Sequence, residues 1–367
     1  MAINLGLLGS KLRKYRDQLQ EPLAEVSGAT GIDVARLEGI ERGEIEPSGD
    51  EVLILADHFQ CDFRFFISNE RVAPFEETDN LYRGRESDFA KGDRRAIQEF
   101  LYLCETEAFL MAALNRPSIQ FSYTAHGNFY KRQGREAADA LRNALGYSEG
   151  PVPLDVYAEF RKVGVHVFRR KLVNSEISGL FVLHPTAGRC ALVNLSEDVY
   201  RQRFSAAHEM AHAILDADER ASVSYKHTLG DLREIRANAF ASCFLLPPAI
   251  LKKLPSPASW TEAGTHEWAN KLGVSCQALG IALAEAKIVD EATAKRIQSR
   301  KVPYDAKSDP ELPRFLSVKQ RDRKLHLLEK GLSDYYVALC FEARKEGVIS
   351  LGRLSGGCQD FCVRGLP

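Results

Sequence analysis

Residues 204–215 read FSAAHEMAHAIL and contain His208, Glu209, Met210, Ala211 and His212 in succession. No Gly or Pro interrupts the stretch, and Ala206, Ala207, Ala211 and Ala213 favour a helix. On that helix His208 and His212 stand four residues apart on one face, where both imidazoles reach the same ion. Glu209 lies about 100° round the helix, beside the two ligands rather than eclipsed by them. Two neutral nitrogens to hold a metal and a carboxylate to deprotonate its water are what a zinc hydrolase requires. The bland alternative is a surface His pair with an unrelated acid, since an HExxH string arises by chance in roughly one chain in a hundred of this length.

A tetrahedral catalytic site takes a third protein ligand and leaves the fourth position to water. Residues 233–248 read REIRANAFASCFLLPP, a second helical stretch closed by Pro247 and Pro248. Ile235, Ala239, Phe240, Cys243 and either Phe244 or Leu246 follow helical spacing and mark an inward face. Glu234 lies one turn from that stripe, 22 residues after His212, which leaves room for a loop and a returning helix. It is the expected third ligand. The competing acids Asp216, Asp218, Glu219 and Asp231 sit in polar, loop-like sequence and read as solvated or capping residues.

The segments AADALRNALGY, GPVPLDVYAEFRKVGVHVF, ISGLF, ALVNLS, YRQRFSAAHEMAH and EIRANAFASCFLLP, all within residues 137–247, resemble the ImmA/IrrE family of metallopeptidases. The resemblance implies a gluzincin-like zinc protease with HExxH and a Glu from an ExxAN helix. On that pattern His208, His212 and Glu234 are the metal ligands, Glu209 is the base, and Asn238 either supports a ligand or packs the helix. The family usually has Leu or Ile at Met210 and Gly at Ala211; both replacements here suit a helix. Zinc is the expected metal, and manganese suits the same ligand types.

With 367 residues the chain exceeds one ordinary core, so two or three domains are expected. Its 49 basic and 50 acidic residues balance to −1, which excludes bulk attraction to nucleic acid or an anionic membrane. The N-terminal MAINLGLLGSKLRKYR places its basic cluster after a short apolar stretch, the reverse of a secretory signal. No apolar run of about 18 residues occurs, so no membrane span is expected. The eight cysteines are scattered; Cys104, Cys243 and Cys340 sit in apolar helical contexts and read as reduced core residues of a cytoplasmic protein. Cys358 and Cys362 form the one close pair, without a partnering pair for a metal.

Residues 5–70 read as four or five short helices punctuated by Gly28, Gly31 and Gly43. Two short helices joined by a tight turn describe a helix-turn-helix. DVARLEGIERG, with the turn before it and its ending Ile40, Glu41, Arg42 and Gly43, resembles the XRE (phage-repressor-like) type. The resemblance implies that Gln20 opens the second helix and that Asp33, Val34, Ala35, Arg36, Glu38 and Gly39 face the DNA groove. Charge opposes this. Residues 1–70 hold seven basic and thirteen acidic side chains, a balance of −6, while phosphates supply most DNA affinity. DNA reading and protein interaction both remain open for this domain.

Further along, residues 99–114 have the apolar stripe of a buried helix, 118–131 read as an aromatic loop or short strands, and 137–145 as another helix. A helix at 156–162 precedes three β-rich runs at 165–169, 177–184 and 190–195. The last run, ALVNLS, leads into the HExxH helix, and its edge is where an extended substrate is expected to add. Residues 265–290 read as a helical pair, 303–313 as a linker, 320–354 as an amphipathic helical module and 355–367 as a tail.

The expected fold is α+β and mostly helical: an N-terminal all-α helix-turn-helix domain (1–70), a helical connecting region (71–150), a peptidase core with a small three-stranded sheet (151–290) and a C-terminal helical module (291–367). The expected activity is a cytoplasmic, metal-dependent endopeptidase. The resemblance implies a regulatory one whose protein substrate is a helix-turn-helix repressor of phage, mobile-element or stress genes. Tyr200, Arg203, Tyr225 and His227 are candidates to stabilise the oxyanion. The alternatives are a DNA-binding regulator whose peptidase-like domain senses a ligand without cutting, and a toxin–antitoxin or phage-defence component. A homodimer is left open.

Overall fold

The structure, a computed structural model, describes residues 3–69, 81–82, 88–216, 221–225 and 231–350. The chain divides into two compact units, Met1–Leu103 and Cys104–Pro367.

The first unit begins with five helices: α1 (Leu5–Gln18), α2 (Leu23–Thr30), α3 (Val34–Glu41), α4 (Gly49–His58) and α5 (Phe63–Ile67). Short polar residues start most of them because a side-chain oxygen satisfies an orphan backbone N–H there. Asn4, Asp33 and Asp62 each cap one helix, and Ser48 with Glu51 forms a reciprocal capping box on α4. Leu8, Leu12, Tyr15, Leu37, Leu55 and Phe59 close a core beneath them. Gln20 does not open the second helix. It lies in the preceding turn with φ of 56°, and α2 starts only after Pro22, whose fixed φ and missing N–H suit a helix start.

Helix α6 (Lys91–Ala113) continues the chain across the boundary between the units. Residues 118–129 then run without a strand. The second unit holds α7 (Tyr130–Ala144), α8 (Val156–Lys162), β1 (Val165–Arg170), β2 (Ile177–His184), β3 (Gly188–Asn194), α9 (Val199–Leu215), β4 (Ala221–Tyr225) and α10 (Leu232–Leu245). After these come α11 (Pro248–Leu251), α12 (Glu262–Leu272), α13 (Cys276–Glu285), α14 (Glu291–Gln298), α15 (Val318–Glu329) and α16 (Asp334–Lys345).

The sheet has four strands rather than three, in the order β1-β3-β2-β4; β1 runs parallel to β3, and β2 is antiparallel to both of its neighbours. Strand β4 (ASVSY) escapes a sequence reading because it is only five residues long and Ala and Ser make up three of them, a weak β signal. The strand order overturns a second expectation. The ALVNLS strand is β3, which lies between β1 and β2 and has no edge to offer; the edges of the sheet are β1 and β4. Residues 303–313 are anchored rather than a free linker, since Arg169 grips both oxygens of Asp309 at 2.8 and 3.2 Å, and buried Glu311 accepts from the Asp334 N–H at 3.1 Å.

Helix α9 packs one side on β2 and β3 and another on α10, which lies in turn along α7. Phe181, Ala207, Met210, Ala211, Phe240 and Phe244 share this core. The six described cysteines are all buried thiols outside any disulfide, as expected; Cys358 and Cys362 lie outside the described residues. Among the described residues no helix is long and apolar enough to cross a membrane.

The α7–α10 contact is backbone against backbone at Gly134, where an added Cβ would fall on the Arg236 carbonyl oxygen and 3.0 Å from the Phe240 nitrogen. Backbone cannot swing aside as a side chain can. Gly134→Val should therefore push α7 off α10 and cost about 2 kcal/mol of stability, read as a lower denaturant midpoint at unchanged slope.

Candidate metal centre and helix-turn-helix

Helix α9 presents His208 and His212 on one face, and α10 places Glu234 against both of them. His208 Nε2 stands 3.2 Å from His212 Nε2 and 3.2 Å from Glu234 Oε2, and His212 Nε2 stands 3.3 Å from Glu234 Oε1. Bonds of about 2.0–2.1 Å at a tetrahedral angle put two zinc ligands about 3.3–3.4 Å apart. The trio therefore has the spacing of ligands around one ion, and no other group of three such residues does so among the described residues.

The outer nitrogens decide which way the imidazoles face. His208 Nδ1 meets Asn238 Oδ1 at 3.1 Å, and His212 Nδ1 meets Asp216 Oδ2 at 2.7 Å. Both partners accept, so both Nδ1 atoms donate, and both Nε2 lone pairs point at the shared space. Three lone pairs facing one another at such distances repel unless positive charge lies between them. The electrostatics agree. Against the downward push of burial, hydrogen bonds to Asp216 and Glu234 drive His212 up to about 10, whereas burial pushes His208 down. Burial works against Glu234 as well, yet the two imidazoles beside it hold its carboxyl well below the usual range. The residues present fit a divalent cation.

Asp216 corrects the sequence reading. It is not solvated: it is 2% exposed, ends α9, and carries the guanidinium of Arg236 on its other oxygen. Arg236 also reaches Gln133 Oε1 at 3.2 Å, so a chain of polar contacts runs from α7 through α10 to His212. The signal was present as His212 and Asp216 at i and i+4, but loop-like neighbours hid it. Asp231 does cap α10, as expected; Asp218 and Glu219 lie outside the described residues.

Glu209 is fully buried beside the trio, and neither carboxylate oxygen has a hydrogen-bond partner. Burial pushes it up to about 8; His212 and Ser224, which stands near without a formed hydrogen bond, act downward. A cleft of about 840 Å³ opens onto Glu209, His208 and Glu234 and continues along α10 past Ile235, Ala239 and Ser242. Of the oxyanion candidates, Tyr200 and Tyr225 line this cleft. Tyr200 already donates to Asn270 Oδ1 at 2.6 Å. Arg203 is excluded: it is buried and spends its guanidinium on backbone carbonyls, among them Leu272 at 2.6 Å and Pro153 at 2.8 Å. His227 lies outside the described residues.

In the first unit, α3 is the second helix of the helix-turn-helix. Val34 and Ala35 are exposed on it, and Glu38 is exposed one turn on. Asp33 is occupied as the cap, accepting from the Ala35 N–H at 2.9 Å and the Arg36 N–H at 3.4 Å. Gly39 does not face a groove; it is buried, and Ile45 packs over it. Arg36, the one cation among the groove-facing candidates, is held by Glu51 of α4 through Nε and Nη2, the latter at 2.8 Å. That hydrogen bond takes the Glu51 carboxyl down to about 2. Arg36 is thus neutralised where a phosphate would need it.

Two outcomes follow from these contacts. Asp216→Ala should lower zinc affinity about 10- to 100-fold, because His212 loses its orienting acceptor; competition against a chromophoric chelator reads this directly. Glu51→Gln should release Arg36 and strengthen duplex-DNA binding at low salt about three- to tenfold, with a steeper salt dependence, as followed by fluorescence anisotropy.

Two family models match the chain. Residues 160–284 match the Peptidase_M78 model, described as IrrE N-terminal-like domain, and residues 12–66 match the HTH_3 model, described as helix-turn-helix. A search of curated proteins finds no match to the chain. The first match spans the sheet, the HExxH helix and the Glu234 helix, and the second spans α2 to α4 with half of α1 and most of α5. The chain joins an XRE-type helix-turn-helix to an IrrE/ImmA-like peptidase domain, the make-up of a metallopeptidase-like regulator with a DNA-binding domain.

Proposed function

We propose that the protein is a metal-dependent endopeptidase of regulatory type, with a helix-turn-helix repressor protein as its substrate. The observation that carries this reading is the convergence of His208, His212 and Glu234 with an unpartnered, buried Glu209 at the floor of one cleft. A purely structural cluster has no use for a carboxylate without partners, since burying one is costly.

His208 and His212 would hold the cation through Nε2 and Glu234 through its carboxylate, which is a zinc-type donor set. Zinc bound there supplies a Lewis acid for the scissile carbonyl and acidifies the attacking water. Glu209 takes the water proton on its carboxylate and later delivers it to the leaving amine. Its burial favours this: desolvation makes the carboxylate a stronger base for the proton it takes. Asn238 and Asp216 keep the two imidazoles turned inward throughout. The substrate backbone is held along β4, the edge strand over the cleft, where main-chain hydrogen bonds bind an extended segment without demanding one sequence.

The helix-turn-helix supports a regulatory rather than a digestive role. Purified protein loaded with zinc should cut a helix-turn-helix repressor from its own host at a defined bond, seen by intact-mass spectrometry. Glu209→Gln should keep the metal and lower the rate about 10²- to 10⁴-fold. Undiminished cutting by Glu209→Gln would remove the proposed base. Absence of any cutting by the zinc-loaded wild type, with operator binding intact, would favour the ligand-sensing regulator.

A further inference from the structure

Glu209 lies against the sheet at one register position. Gly179 of β2 pairs with Ser224 of β4, and a Cβ on Gly179 would stand 2.7 Å from Glu209 Oε1 and 3.1 Å from its carboxyl carbon. The carboxylate therefore occupies the space that any larger residue at 179 would fill. Cross-strand partners project from the same face of a sheet, so the Ser224 side chain hangs from the face that Glu209 touches.

Both groups lack what the other offers. Ser224 is 3% exposed and its hydroxyl has no hydrogen-bond partner; Glu209 is fully buried and neither oxygen has one. A hydroxyl can donate and a carboxylate can only accept. Buried polar groups are almost always paired, and two complementary orphans side by side are the pair that a small side-chain rotation completes. Ser222, two residues back on the same face, is an instructive contrast. Its hydroxyl is also orphaned, but its cross-strand partner is Phe181, whose ring fills the core at that place and leaves no seat for a carboxylate. Only the Gly179–Ser224 position offers both room and a donor, and both Ser224 and Glu209 line the cleft.

We propose that Ser224 is a positioning residue for Glu209: its hydroxyl donates to one carboxylate oxygen and holds the group over Gly179, with the other oxygen turned towards the metal-ligand trio. The proposal rests on the peptidase reading above. A base that must take a proton from one direction and return it in another gains from having its idle oxygen fixed. Because Ser224 acts through Glu209 and its backbone is unchanged by substitution, loss of the hydroxyl should be felt in turnover more than in substrate binding.

The test compares zinc-loaded wild type, Ser224→Ala and Ser224→Thr on a proteome-derived peptide library, followed by kinetics on the best-cleaved peptide. Ser224→Ala should keep one zinc per chain, lower kcat about 10- to 100-fold, as the loss of a hydrogen bond to a charged group implies, and leave KM within about twofold. Ser224→Thr should restore most of the rate. A crystal structure of the zinc-loaded wild type supplies a readout independent of cleavage: Ser224 Oγ should lie about 2.5–3.0 Å from a Glu209 oxygen. A wild-type kcat in fully zinc-loaded Ser224→Ala would overturn the proposal while leaving the peptidase reading intact. So would a crystal structure in which Ser224 donates elsewhere. If the wild type cuts no peptide, the peptidase reading fails, and the crystallographic distance alone decides whether Ser224 holds Glu209. The same distance decides if Ser224→Ala does not fold.

Discussion

The architecture of the second unit turns on one constraint: two imidazoles and a carboxylate are buried with their lone pairs facing a common point. Such a cluster is tolerable only with positive charge at its centre and a hydrogen-bond acceptor behind each imidazole. The surrounding elements meet those needs. Helix α9 sets the two histidines one turn apart, α10 brings Glu234 across from them and Asn238 behind His208, and the end of α9 brings Asp216 behind His212. The close approach of α7 and α10 at Gly134 and the Arg236 bridge to Asp216 then fix the helix that carries the third ligand.

How much of this was legible in the sequence depends on distance along the chain. His208, Glu209 and His212 declare themselves because helical periodicity places i and i+4 on one face. Glu234 was reachable because its own helix announces an inward stripe and a Pro-Pro stop. Strand β4 was not legible: five residues, three of them Ala or Ser, carry little β signal, and only pairing with β2 makes them a strand. The error over the ALVNLS edge has the same root, since whether a strand is interior or at an edge is a property of the sheet. Asp216 was misread for a related reason. Polar neighbours suggest solvent, yet its burial follows from Arg236 and His212, which come from other helices or another turn. The Gly179 seat beneath Glu209 is a contact between β2 and α9 that no local pattern encodes.

The first unit shows the opposite balance. Its five helices were legible because each short helix brings its own cap and its own apolar spacing. What the sequence could not show was how its charges are spent. Arg36 looks like a groove-facing cation, but Glu51 holds it, and Asp33 caps the helix it was expected to read DNA from. The excess of acid seen in composition is matched, among the described residues, by pairing in space: Glu41 holds Arg16 and Glu51 holds Arg36.

The central claim is that His208, His212 and Glu234 bind one divalent metal. Metal content by inductively coupled plasma mass spectrometry tests it most directly, on wild type, His208→Ala and Glu234→Gln after exchange into metal-poor buffer and a single incubation with zinc. The account predicts about one zinc per wild-type chain, none retained by His208→Ala and weakened retention by Glu234→Gln. No zinc in the wild type, or equal zinc in all three proteins, would contradict it.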